Sequence, residues 1–138
     1  MTKGPVRVKW TGQRQFIGTD SGNHSVVISS HKDENHTGMK PSELLLVALA
    51  SCSAYDVVDI LEKKRVNLEK LEVTVSKVQD QDPPWTFREI HLDYLLKGSG
   101  LTEKGVEQAI QLSLEKYCSV AATLSGKAEI THSHQLLP

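Results

Sequence analysis

The sequence predicts a single α+β domain in which mainly antiparallel sheet is arranged around one long central helix. Three observations carry this. β-Branched and apolar residues alternate with polar ones near the start, in the middle and at the end of the chain, and the stretch Pro41 to Arg65 runs on with nothing to break a helical pattern. The order also reads βββ, long helix, ββ, helix, short helix, β, which is not the regular βαβ alternation of a doubly wound parallel sheet.

Taken in order, Val6, Val8 and Trp10 alternate with Arg7 and Lys9 in a first strand. Gln15-Phe16-Ile17-Gly18 forms a second, which turns back through Asp20-Ser21-Gly22-Asn23 into a third, the β-branched run from His24 to Ser30. Residues 31–40 are polar and read as an exposed loop; its His31 and His36 lack the spaced partners of a metal site and read as solvated. In the central helix Ser42 is the expected N-cap, Glu43 suits the positive end of the dipole and Lys63-Lys64-Arg65 suits the other. About six turns give a length of roughly 35 Å. Leu44 to Ala50 is apolar on every side, so this half is expected to be buried all round. One small sheet cannot supply that cover, which predicts an intertwined homodimer with the two central helices together between sheets.

Beyond the helix, Leu71, Val73 and Val75 alternate with polar neighbours, Pro83-Pro84 turns the chain, and Ile90, Leu92, Tyr94 and Leu96 share a face of a strand over about 86–97. The pair is a long hairpin. Gly98-Ser99-Gly100 ends it, and Thr102 caps a second helix running to about Tyr117, with Val106, Ala109, Ile110, Ser113, Leu114 and Tyr117 on one stripe. Cys118 follows at a kink, and Ser119 to Leu124 makes a short further helix. A thiol near a new helix start meets N–H groups that favour a thiolate. The last strand, Lys127 to Ser133, puts His132 on one face with Ala128 and Ile130; His134 points the same way, but two histidines do not specify a metal site.

Composition narrows the function classes. With 138 residues, 38% hydrophobic, 24% charged and a formal net charge of −1, the chain has no basic excess for nucleic acid and no acidic tail. The uncharged apolar run of the central helix is short of the roughly 18 residues of a membrane span, and no apolar leader opens the chain, so no membrane partner and a cytoplasmic location are expected. Only 5% of residues are aromatic, which argues against a large aromatic-lined cofactor pocket, and no cofactor or metal is expected. Two cysteines without a secretory leader point to a reducing compartment and to catalytic or redox-active thiols. Cys52, between Ser51 and Ser53 in an apolar run, is open to two readings: a small core hydrophobe, or a reactive thiol partnered by Cys118.

The segment Pro41-Ser-Glu-Leu-Leu-Leu-Val-Ala-Leu-Ala-Ser-Cys52, with Lys116-Tyr-Cys-Ser-Val-Ala-Ala-Thr123 following it, resembles the paired cysteine motifs of the OsmC/Ohr family of osmotically induced and organic-hydroperoxide-resistance proteins. The strings CSAYDVVDIL, KYCSVA and EITHS are most similar to its YhfA-like branch. The resemblance implies active sites at a subunit interface and a thiol peroxidase reaction. In it Cys52 attacks the peroxide oxygen, Cys118 resolves the sulfenic acid as a disulfide, and an Arg on the N-terminal sheet orients the thiolate; Thr11-Gly-Gln-Arg14 resembles the segment carrying it, which makes Arg14 the candidate. The peroxidases that pair this Arg with a Glu carry it directly after the Pro, where this chain has Ser42. Its own Glu43 stands one residue on, about 100° around a helix. Asp56, one turn after Cys52, opposes a thiolate unless it is itself paired.

The chemistry fits: a thiolate cleaves the O–O bond and a second thiol traps the sulfenic acid. Leu45, Ala48 and Leu49 are expected to line the approach to Cys52, which favours an organic hydroperoxide, with a dithiol as reductant. The competing reading is a non-catalytic dimer that binds a small apolar ligand in its interface cleft or carries inert cysteines. Ready alkylation of Cys52 at pH 7 separates the two.

Overall fold

A computed structural model describes residues 4–30 and 36–138; His31 lies outside them. The chain divides into two compact units, Met1–Leu45 and Leu46–Pro138.

The first unit is an antiparallel sheet of β1 (Arg7–Gly12), β2 (Gln15–Thr19) and β3 (Ser25–Ser29), with β2 in the middle. Beyond it, Met39 pairs with β3: its N–H donates to the Val27 carbonyl and its own carbonyl accepts from Ser29. Only glycine fits just before this crossing, since a Cβ on Gly38 would stand 2.5 Å from the Val27 oxygen. Val6, Val8 and Trp10, on one face of the first strand and its approach, are all more than 60% exposed.

The central helix α1 (Pro41–Lys63) has the expected length, but its start differs by a residue or two. The Leu44 N–H donates to the Lys40 carbonyl, so Pro41 is the first helical residue, where proline is favoured, and Ser42 lies inside the first turn. The helix ends on Arg65 in the left-handed region (φ 62), with the Val66 N–H bonded to the Leu61 carbonyl at 3.0 Å.

The second unit adds β4 (Asn67–Gln79) and β5 (Phe87–Ser99), the expected hairpin, then α2 (Glu103–Leu112), a π-helical turn (Ser113–Tyr117), α3 (Ser119–Leu124) and β6 (Glu129–Leu136). The Thr102 side chain caps α2 by accepting from the Gly105 N–H at 2.9 Å. β5 is central, antiparallel to β4 and parallel to β6. The parallel pair requires the crossover that α2 and α3 provide. Ile90, Leu92, Tyr94 and Leu96 of β5 are fully buried in one core with Leu49, Val57 and Leu61 of α1 and Val106, Ala109 and Ile110 of α2.

Expected burial of α1 on all sides is not met within one chain. Leu46, Leu49, Ser53, Val57 and Leu61 form its buried stripe, while Val47, Tyr55 and Val58 are 46%, 76% and 41% exposed. Between Leu44 and Leu61 the only charges are Asp56 and Asp59, and by length and composition α1 is enough to cross a membrane. Its buried stripe nevertheless packs as the core helix of a folded unit does.

Candidate active site

The sequence signal for Cys118 was a kink, and the cause lies in the backbone. After Leu112 the helix widens, and the Cys118 N–H donates five residues back to the Ser113 carbonyl at 2.7 Å. Such π turns are rare and occur often at functional sites. Cys118 is then extended (φ −78, ψ 105) and caps α3, its sulfur accepting from the Ala121 N–H at 3.4 Å. Cys118 is buried, 2% exposed, whereas Cys52 on α1 is half-buried; neither is in a disulfide.

The turn sets the two thiols near enough for each to shift the other's acidity, and the shifts are opposite. Burial works to raise Cys52, but the Val120 N–H, the Cys118 thiol and the hydroxyl and N–H of Ser119 hydrogen-bond to its charged form and together bring its pKa below the ordinary thiol value. Cys118 goes the other way, to about 11: burial is the main cause, and the adjacent Cys52 raises it further against the opposing Ala121 bond. The expectation that the helix start would favour a thiolate on Cys118 is therefore corrected. The Ala121 N–H of that start does bond Cys118 but burial outweighs it, while the Ser119 and Val120 N–H groups serve the mid-helix thiol, and Cys52 is the more acidic of the two.

Beneath the thiols runs a buried polar network that the sequence did not reveal. Ser53 Oγ and the Tyr94 hydroxyl are 2.6 Å apart, and Ser113 Oγ lies 2.9 Å from Ser53 Oγ and 2.9 Å from Asp56 Oδ2. Ser53, Tyr94 and Ser113 are all fully buried. Asp56 is thus paired, through Ser113. Burial, with the Cys118 and Asp56 charges adding to it against the Ser53 bond, raises Tyr94 to about 12. Leu49, expected on the approach to Cys52, is fully buried in the core and does not line it; Ala48 is half-buried.

These shifts fix a pH dependence. Cys118 and Tyr94 have folded pKa values above their unfolded ones, so the stability they give is full below pH 9 and is lost as pH rises through about 11 and 12 respectively. Cys52 acts in the opposite sense, contributing above the unfolded value and losing that as pH falls. The reduced protein is expected to lose urea resistance between pH 9 and 11, and Cys118→Ser to lose less over that interval. Equal losses in the two proteins would contradict the assignment of the raised thiol.

Arg14 belongs to the first unit, in the turn just before β2, where its carbonyl accepts from the Ser30 N–H at 3.1 Å; both cysteines belong to the second. His132 and His134 do share a side of β6, and they meet the carboxylates of α2. His134 Nε2 is 2.6 Å from Glu103, its Nδ1 is 3.2 Å from Glu107, and His132 Nε2 is 3.6 Å from Glu107. Each imidazole faces a carboxylate, and among the described residues no three His, Cys, Asp or Glu side chains are placed to hold one metal ion.

An α+β unit with two apposed thiols, one at mid-helix and one on a widened turn, defines a class of protein to which sequence comparison gives a name. The profile of OsmC-like proteins matches residues 32–133, and the chain belongs to that family. Protein YhfA of Escherichia coli K12 is 34% identical over 132 residues, covering 96% of this chain and 97% of its own length. The crystal structure of a hypothetical protein from Aquifex aeolicus VF5 is 30% identical and superposes with a TM-score of 0.88 over 99% of this chain and 98% of its own. The organic hydroperoxide resistance protein OhrB of Bacillus subtilis shares the fold at 17% identity, with a TM-score of 0.64 over 96% and 98% of the two chains.

Proposed function

We propose that the protein is a thiol-dependent peroxidase that reduces organic hydroperoxides in oxidative stress defence. The observation that carries this is the apposition of two free thiols of opposite acidity. A Cys52 thiolate attacks the outer peroxide oxygen, the O–O bond breaks, and the alkoxide leaves and takes a proton to become an alcohol, with Cys52 oxidised to sulfenic acid. The Cys118 sulfur then displaces that hydroxyl. Its own proton leaves with the hydroxide as water, a disulfide forms, and an external dithiol returns both cysteines to thiols. A raised pKa suits Cys118 to the second role, because it leaves Cys52 as the only thiolate before oxidation.

Membership of the OsmC-like family, with stress-named fold neighbours such as the B. subtilis hydroperoxide resistance protein, supports a stress-related role. The direct test is consumption of an organic hydroperoxide by the purified protein with a dithiol reductant; alkylation of Cys52 only on unfolding would favour inert cysteines instead.

Two further parts belong to this proposal. The working form is a homodimer that covers the open stripe of α1, Val47, Tyr55 and Val58, which lie at spacings of eight and three on one side of the helix. Arg14 is the residue to which the family resemblance gives support of the thiolate. Arg14→Ala is then expected to raise the apparent pKa of Cys52, because a positive charge near a thiolate favours it. An unchanged pH profile of alkylation would remove Arg14 from the site.

A further inference from the structure

The polar network joins α1 to the turn that carries the second cysteine. Ser113 Oγ has three acceptors in range: Asp56 Oδ2 and Ser53 Oγ at 2.9 Å and the Ser53 carbonyl at 3.3 Å. A hydroxyl has one proton to give, and a carboxylate is the strongest of these acceptors, so Ser113 donates to Asp56. The set then runs from the Tyr94 and Ser53 hydroxyls, which share one bond at 2.6 Å, to Ser113, whose single proton faces Ser53 and Asp56 and goes to the carboxylate. No buried hydroxyl is left unsatisfied, and the chain ends on the one charged member.

The same residue serves the backbone. The carbonyl of Ser113 accepts the Cys118 N–H at 2.7 Å, the bond that closes the π turn, and the residue is fully buried. Ser113 therefore grips Ser53 and Asp56, one and four positions after Cys52 on α1, with its side chain, and Cys118 with its main chain. We infer that Ser113 is a positioning residue: bonded to Asp56 and Ser53, it holds the π turn in the register that places Cys118 against Cys52. This deepens the peroxidase reading and rests on it for its biological meaning, but the geometry of the pair can be measured apart from any peroxide.

The test is the equilibrium Cys52–SH + Cys118–SH + GSSG ⇌ Cys52–S–S–Cys118 + 2 GSH, followed in glutathione redox buffers. Its constant reports the effective concentration of one thiol at the other. Relative to wild type, Ser113→Ala is expected to lower the constant tenfold or more, and to move the alkylation profile of Cys52 to higher pH as the Cys118 hydrogen bond loosens. Ser113→Thr, which keeps the hydroxyl, is expected to recover most of both. Should Ser113→Ala fail to fold, Asp56→Asn keeps the shape but weakens the acceptor and is expected to lower the constant several-fold. An unchanged constant and profile in the folded Ser113→Ala protein, or in Asp56→Asn where the alanine variant cannot be used, would overturn the inference. Wild type that forms the disulfide with glutathione disulfide but not with an organic hydroperoxide would overturn the peroxidase reading, and leave the positioning role to be judged by the variants alone.

Discussion

Cys52→Ser is expected to abolish hydroperoxide turnover, whereas Cys118→Ser retains one stoichiometric oxidation and leaves a sulfenic acid on Cys52 that dimedone traps. The asymmetry follows from the acidities. In Cys52 the hydrogen bonds that stabilise a thiolate, from the Val120 N–H, the Cys118 thiol and Ser119, outweigh burial, whereas in Cys118 burial outweighs the Ala121 bond. Cys118, whose thiol burial still pushes up when Cys52 is replaced, carries its proton and cannot substitute as nucleophile, so the Cys52 variant has no entry into the cycle. The Cys118 variant loses one of the hydrogen bonds to Cys52 but keeps those from Ser119 and Val120, so its first oxidation slows without stopping. Without the resolving thiol, excess peroxide drives Cys52 onward to sulfinic acid, which a dithiol does not reverse. Equal residual turnover in the two variants, measured with a dithiol present, would contradict the division of roles.

A second large effect is expected on assembly. Val58→Asp is expected to convert a particle of twice the chain mass into one of single mass at micromolar concentration, while the isolated chain stays folded. Val58 is 41% exposed and off the buried stripe of α1, so in one chain a carboxylate there meets solvent and costs little. In a two-fold dimer the substitution occurs twice at the helix contact, and each unpaired carboxylate would have to be desolvated, at a cost of several kcal/mol. Light scattering decides it. A wild-type protein that is monomeric and well folded would remove the dimer and with it the cover for Val47 and Tyr55.

What could be read from the sequence was what repeats. The apolar stripe of α2 and the alternation in β4 and β5 follow the periods of helix and strand, and each was visible from Val106, Ala109 and Ile110 or from Ile90, Leu92, Tyr94 and Leu96. The positions of the two cysteines at mid-helix and at a kink were legible too. Their acidities were not, because the groups that set Cys52 below the ordinary value, Cys118, Ser119 and Val120, sit 66 to 68 residues away in the chain, and Cys52 in turn raises Cys118. The network was hidden for a related reason. Ser53 and Ser113 sit among apolar residues where a small polar side chain looks like filler, and Tyr94 shares its face with Ile90 and Leu92. A serine on a fully buried stripe was the only signal, since a buried hydroxyl must find a partner. The parallel pairing of β6 with β5 was not legible either, because a short amphipathic strand fits an edge in either direction.

The central claim is that Cys52 and Cys118 form a working pair, and peptide mapping tests it most directly. Reduced wild-type protein is given one equivalent of an organic hydroperoxide, quenched with an alkylating agent and digested. The account predicts that the peptides containing Cys52 and Cys118 are recovered joined by a disulfide, with neither thiol alkylated. Recovery of both peptides alkylated, with no disulfide and no oxidised form of Cys52, would contradict it.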